Sequence, residues 1–475
     1  GGLSDRMFNL NPLQSNRSRN WFSLDWLLFN FKFKHKFNDK SNLSLSFFGL
    51  DAERNTIGFR SNRVDQIDPF TERDLIKGNF NNHGIEIKFL NNYSFLNKKN
   101  VFVIGGKYYR SKSTSQQGPG SEKEDADFNF YLNKFPNYTN QSDYVYPNKN
   151  FAFFGENIIY LSEKLSFTPG FRYENILTKS RGSFKQINLD AAGNVIYNNT
   201  NYERKDSKRS FFLLGLGLSL KTLNSLEIYS NISQNYRSVT FADISIVNPA
   251  FAINPDISDE RGLTLDLGLR GDIKDLVSLD FTFFNLLYRD RIGFSQKEFK
   301  DGSVKSERGN IGDAIIYGLE SNIDFDVNNL LIKNDNMSLN YFINTALIDS
   351  EYTRSDENGV IGKKVEFVPN VNLKTGIKYG FENFIFNIQY SYISNQYTDS
   401  SNAKEGNLSG IIGEIPAYSL VDFSFSYLYK NLRLETGINN VSNTFYFTRR
   451  ATGYPGPGII PSPPRNTYLT LQIKI

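Results

Sequence analysis

Two histidines, His35 and His83, and no cysteine are what this chain offers for metal ligation and for most nucleophilic catalysis. They stand far apart in sequence, so no Ser-His-Asp arrangement and no His/Cys cluster can be assembled from them. His35 lies in Lys34-His35-Lys36 beside a short turn, where a solvated role is expected. His83 lies near a long loop, where a structural role is expected. Gly215-Leu216-Gly217 has no following helix and fails the context test for a nucleotide-binding loop. The acidic run from Glu122 to Asp127 lacks the spacing of a calcium loop. The chain is expected to be no enzyme and to carry no cofactor.

The elements that would position any site are strands. Leu263-Thr264-Leu265-Asp266-Leu267-Gly268-Leu269 alternates strictly, as does Val421-Asp422-Phe423-Ser424-Phe425-Ser426-Tyr427. Period two places alternate side chains on opposite faces of a strand. The rhythm predicts seventeen strands, near 22–36, 41–58, 80–95, 100–116, 148–161, 165–180, 208–221, 224–238, 260–273, 277–295, 310–326, 337–352, 366–380, 384–400, 417–430, 432–447 and 465–475. Connections alternate between short turns, such as Asn38-Asp39-Lys40, and long polar stretches, such as 59–79, 117–147, 181–207 and 296–309. No linker divides the chain, so 1–475 is expected to form one domain.

What the apolar face meets follows from composition. Mean hydropathy is −0.44 and no run of 18 apolar residues occurs, so membrane-spanning helices are excluded. Phe and Tyr number 42 and 27, and many fall on the apolar face, as at Phe384, Phe386, Tyr390 and Tyr392. The other face carries Asp266, Asp280, Asn387 and Gln389. Short turns at one end, long loops at the other and an aromatic-rimmed apolar face describe an all-β, antiparallel transmembrane barrel of an outer membrane. Net charge is +4, from 54 basic and 50 acidic residues, and does not support nucleic-acid binding. Single-chain bacterial barrels have an even number of strands. With both the first and last strands running inward, closure is expected to need an odd number of strands before Gly1.

Five segments carry a resemblance. Arg261-Gly262-Leu263-Thr264-Leu265-Asp266-Leu267-Gly268-Leu269-Arg270 resembles the "Y-E-x-G-x-R" strand of TonB-dependent outer-membrane receptors. Ser233 to Phe241, Tyr317 to Ser321, Gly437 to Tyr446 and Phe167 to Glu174 resemble further strands of that family, in the family's order. Within it, Asn231 to Ile244, Tyr288 to Gly293 and Ser15 to Trp21 look most like ferric-citrate receptors of Bacteroidetes-type bacteria. The resemblance implies a barrel of 22 strands filled by a plug, of which about seventeen strands are read here, with no plug and no energy-coupling box.

It also implies function: a bacterial outer-membrane receptor that binds a ferric chelate outside and imports it with energy from the TonB-ExbB-ExbD complex through an N-terminal region. Expected partners are thus outer-membrane lipid, that complex and the ferric chelate, with the receptor a monomer. Ferric citrate is anionic, and the planar fork of arginine suits carboxylates. Candidates are Arg237, Arg289, Arg291, Arg449 and Arg450, all near expected outer strand ends. A receptor for another siderophore, a peptide or a glycan, and a passive porin, are the alternatives.

Overall fold

The computed structural model describes all residues except 1, 16, 62, 224, 241–242, 244–250, 300–303, 453–456 and 475. The described chain forms two compact units. The first, residues 15–216, holds β1 (Trp21–Lys36), β2 (Ser41–Gly58), β3 (Asp74–Phe95), β4 (Lys98–Pro119), β5 (Ser142–Tyr160), β6 (Leu165–Leu189) and most of β7 (Val195–Leu223). Strands β1 to β6 pair with their sequence neighbours, each antiparallel.

The second unit holds residues 2–14 and 217–475. Its elements begin with the short helix α1 (Asp5–Leu10), β8 (Leu226–Arg237), β9 (Phe251–Ile253), β10 (Glu260–Ile273), β11 (Val277–Glu298), β12 (Val304–Asp326), a π-helical turn at Asn328–Ile332 and β13 (Met337–Arg354). There follow β14 (Val371–Phe381), β15 (Phe384–Ile393), β16 (Gln396–Tyr397), β17 (Glu414–Ile415), β18 (Tyr418–Tyr429), β19 (Leu432–Asn439), β20 (Phe447–Ala451), β21 (Gly458–Pro461) and β22 (Asn466–Ile473). The antiparallel order is β8-β10-β11-β12-β13-β14-β15-β18-β19-β22, and the short β9 lies parallel to β12. Setting aside the short β9, β16, β17, β20 and β21, seventeen strands remain among the described residues, the number the rhythm predicts. β1 pairs along one edge with β2, and β22 along one edge with β19.

Two of the long connections are shorter than expected. Instead of a loop over 181–207, β6 runs to Leu189 and β7 starts at Val195. The strands continue because a backbone ladder needs no apolar side chains, and polar residues suffice once the hairpin stands in water. The tip is built by Asp190, whose side chain accepts from the Ala192 and Asn194 amides, and by Gly193 at φ +85°, which a side chain would strain. Likewise 296–309 contains the ends of β11 and β12. The six-residue α1 is absent from the sequence expectation because it is too short to show a helical period. Ser4 caps it, accepting from the Met7 amide at 3.3 Å.

The apolar face is the exposed one. In the first unit Ile85, Ile87, Tyr108, Phe151 and Phe153 stand exposed on one face. In the second, Leu267, Phe283, Leu319 and Leu347 form one cross-strand row, all exposed. A soluble sheet buries that face; leaving a continuous apolar band uncovered requires an apolar solvent. β1 departs from the rhythm: Trp26, Leu27 and Leu28 are consecutive and all exposed. The buried apolar clusters of the second unit instead lie towards the long loops. One joins Phe284, Ile311, Ala314, Ile316, Tyr352, Val360 and Val365; another joins Leu3, Ile415, Phe447 and Ile459.

Candidate functional site

At the long-loop ends of β8, β10, β11 and β12, in the second unit, a cavity of about 490 Å³ is lined by Arg237, Glu260, Arg291, Arg308, Glu366 and Phe294, among others. Pockets for small ligands commonly hold about 300–1,000 Å³. Arg237 ends β8 and is 40% exposed at its side chain. Its guanidinium donates to Glu260 at 2.9 Å and to Asp243 at 2.7 Å. Asp243, only 1% exposed, also accepts from Arg308, whose guanidinium lies 4.9 Å over the Phe294 ring. Arg291 donates to Glu366 at 2.7 Å, and the buried Tyr352 hydroxyl donates to the other Glu366 oxygen at 2.7 Å. Three arginines thus face three carboxylates, and every fork in the network is already engaged by a carboxylate of the chain itself.

Burial pushes the Asp243 carboxyl up, but the Thr240 amide and hydroxyl and the Arg308 guanidinium hold it below the usual carboxylate range. The Thr240 donors reach the same oxygen at 2.9 and 2.8 Å. Glu260 accepts in addition from the Ile292 amide at 2.7 Å, which ties the two halves of the cavity wall together.

The sequence candidates are divided by this geometry. Arg237 and Arg291 meet at the cavity. Arg289 does not: it is exposed, sits opposite Arg261 and has no ion pair among the described residues. Strict alternation would put Arg289 and Arg291 on one face. A bulge separates them, with Asp290 at φ +55° and the pairing stepping from Tyr288↔Ala314 to Arg291↔Gly312. One extra residue on β11 rotates Arg291 inward. Arg308 was missed, because it lies in a stretch of weak alternation expected to be loop.

Arg449 and Arg450 also part company. Arg449 is exposed, whereas Arg450 is 4% exposed and pairs with Asp5 at 2.6 Å. Arg450 also donates to the Glu414 carbonyl at 2.8 Å and lies 5.3 Å over the Phe447 ring. It fastens α1 to the β17 and β20 loops of its unit. Residues 453–456 of the proline-rich loop and Phe241 of the Ser233 motif lie outside the described residues. Among the described residues no group of three or more His, Cys, Asp or Glu is placed to hold a metal ion.

Residues 3–441 match the family described as TonB dependent receptor-like, beta-barrel. The chain belongs to the TonB-dependent receptor β-barrel family. That family is one of the outer membrane, and the exposed apolar face is the one such a protein turns to lipid. No helix among the described residues is long and apolar enough to cross a membrane. Solved structures share the fold. The unliganded ferric citrate transporter FecA superposes with a TM-score of 0.76 at 18% identity, covering 100% of this chain and 65% of that one. The copper transporter OprC gives 0.70 at 15% identity, covering 96% and 66%. The closed form of the ferric-catecholate import receptor Fiu from K12 E. coli gives 0.69 at 12% identity, covering 99% and 68%. The chain therefore spans about two thirds of the length of these solved structures.

Proposed function

We propose that this chain serves as the barrel of an outer-membrane receptor that binds a citrate-like ferric chelate at the cell surface and imports it with energy supplied by the TonB-ExbB-ExbD complex. The family supports import through the outer membrane. The observation that carries the anionic cargo is the cavity of about 490 Å³ with Arg237, Arg291 and Arg308 on its wall. Guanidinium forks recognise carboxylates in two-point contacts. Because each fork holds an internal carboxylate, the ligand enters by exchange: its carboxylates replace Asp243 or Glu366, and these turn to water or to neighbouring donors. Arg289 and Arg449, exposed and without ion pairs among the described residues, stand as outer encounter residues for the same anion.

Uptake and surface binding of radiolabelled ferric citrate by cells carrying the full-length receptor test this. Arg237→Ala with Arg291→Ala is expected to weaken binding by about 10- to 100-fold, since a hydrogen bond to a charged group contributes about 1.5–3 kcal/mol. Arg449→Ala alone is expected to slow capture with a smaller loss of affinity. Unchanged binding in the cavity variant removes the site, and ferric-citrate binding absent from the unaltered receptor removes the cargo.

A further inference from the structure

The outward face of the first unit changes character abruptly along β3 to β6. β4 leaves the short turn at Lys98, and a tilted membrane crossing takes about 9–11 residues. Over that distance the outward row reaches Ile85, Tyr108 and Phe151, which sit opposite one another on β3, β4 and β5 and are all exposed. The next outward row is His83↔Arg110↔Lys149. One row further stands Lys112, opposite Asn81 and Pro147. Arg110, Lys112 and Lys149 are exposed, and none has a hydrogen bond or ion pair among the described residues.

Arg110 and Lys149 lie directly across the ladder, where β-carbons are about 4.5–5.5 Å apart and like charges destabilise the pair. The acids on this face flank the cluster without neutralising it. Asp51 and Glu53 face Asn81 and Asn79 from β2, Asp143 accepts from Gln116 at 3.1 Å, and Asp206 lies 3.1 Å from Arg204 and 3.8 Å from Lys179. A like-charged cluster with no acid in ion-pair contact among the described residues, immediately above the aromatic rim of a lipid-facing band, meets one anion by position: the phosphate of a lipid headgroup.

We propose that Arg110, Lys112 and Lys149 form a binding surface for a phosphorylated lipid of the outer leaflet. The acyl chains lie on Tyr108, Phe151 and the apolar rows beneath, and the phosphate bridges the opposed Arg110 and Lys149. This rests on the outer-membrane placement and not on the cargo. Basic residues near an anionic membrane surface contribute about 1 kcal/mol each, which is about fivefold in affinity.

The test is binding of bisphosphorylated lipid A, and of the same lipid without phosphates, to the purified full-length receptor in neutral detergent. The phosphorylated lipid is expected to bind at least about 25-fold tighter than the other, about fivefold for each of the opposed Arg110 and Lys149. Arg110→Gln with Lys149→Gln is expected to lose about 25-fold for the phosphorylated lipid and nothing for the dephosphorylated one. Lys32→Gln with Lys34→Gln, the same charge change beside a short turn, is expected to leave binding unchanged. If the first pair fails to assemble, as judged by heat-modifiable gel mobility, Lys112→Gln alone is expected to lose about fivefold. Equal binding by wild type and the Arg110/Lys149 variant overturns the proposal, as does an equal loss in the Lys32/Lys34 control. Competition by inorganic phosphate as effective as that by the lipid overturns the lipid as occupant.

Discussion

Each candidate arginine has a planar fork and stands near a long loop, yet those two properties do not place it in the cavity. Arg237 and Arg291 reach the cavity, Arg450 is a buried clasp on Asp5, and Arg289 and Arg449 face outward. The common feature of the cavity arginines is a buried carboxylate partner, and Asp243 is the most constrained of these. Its folded pKa lies below the usual value although burial alone would raise it. A depressed carboxylate stabilises the fold fully above the unfolded pKa of about 3.9, and that contribution is lost as pH falls through the folded pKa. The Thr240 amide, which donates to Asp243 at 2.9 Å, reports it. Corrected for the intrinsic pH dependence of exchange, its hydrogen-exchange protection is expected to stay constant from pH 7 to about 5 and then fall as pH drops below about 4. In Asp243→Asn the protection is expected to be lower at pH 7 and flat with pH. Protection in the wild type that is indifferent to pH over this range refutes the linkage.

At the scale of elements, the seventeen strands were legible because membrane strands repeat one signal: alternation with an aromatic outer face. The same signal fades above the lipid, where both faces meet water, so the ends of β6, β7, β11 and β12 read as loops in the sequence and Arg308 carries no strand signal. The bulge at Asp290 was illegible for another reason. Nothing in Tyr288-Arg289-Asp290-Arg291 marks an extra residue, and Asp only tolerates the left-handed conformation it adopts at φ +55°. Yet the register beyond it decides which arginine faces the cavity. Deleting Asp290 removes the bulge but leaves Arg291 next to Arg289 in strict alternation, still opposite Gly312 and facing inward, so ligand binding should stay close to that of the wild type. Asp290→Gly keeps the bulge and should also bind like the wild type. Asp290→Val forces a β-branched residue into the left-handed region, at a cost of about 1–3 kcal/mol, and should bind more weakly than either. A loss of binding in the deletion as large as that of Arg291→Ala shows that register does not turn Arg291 inward.

For the whole molecule the governing fact is which face of the alternation is covered. Leu267, Phe283, Leu319 and Leu347 make a row across β10 to β13, each exposed, and Leu319 stands seven residues from the end of β12 at Asp326, inside a crossing of about 9–11 residues. One residue along, Thr282 and Glu320 face each other on the opposite side of the same ladder. If lipid lies against the first row and a watery interior against the second, the two rows must answer oppositely to charge. Leu319→Arg is expected to destabilise the assembled protein by about 2–4 kcal/mol, the cost of arginine at the bilayer midplane. Glu320→Arg, its sequence neighbour, changes charge by twice as much and is expected to shift stability by less than about 1 kcal/mol, through lumenal charges alone. Reversible denaturant titration in phospholipid vesicles, followed by the heat-modifiable gel shift, measures both. The contrast also separates the membrane reading from that of a soluble sheet with a sticky face. In water Leu319→Arg would remove exposed apolar surface at almost no cost and improve solubility. A neutral or stabilising Leu319→Arg in vesicles would therefore overturn the assignment of the apolar face to lipid, and with it the placement of the cationic row above Tyr108 and Phe151 at the headgroups.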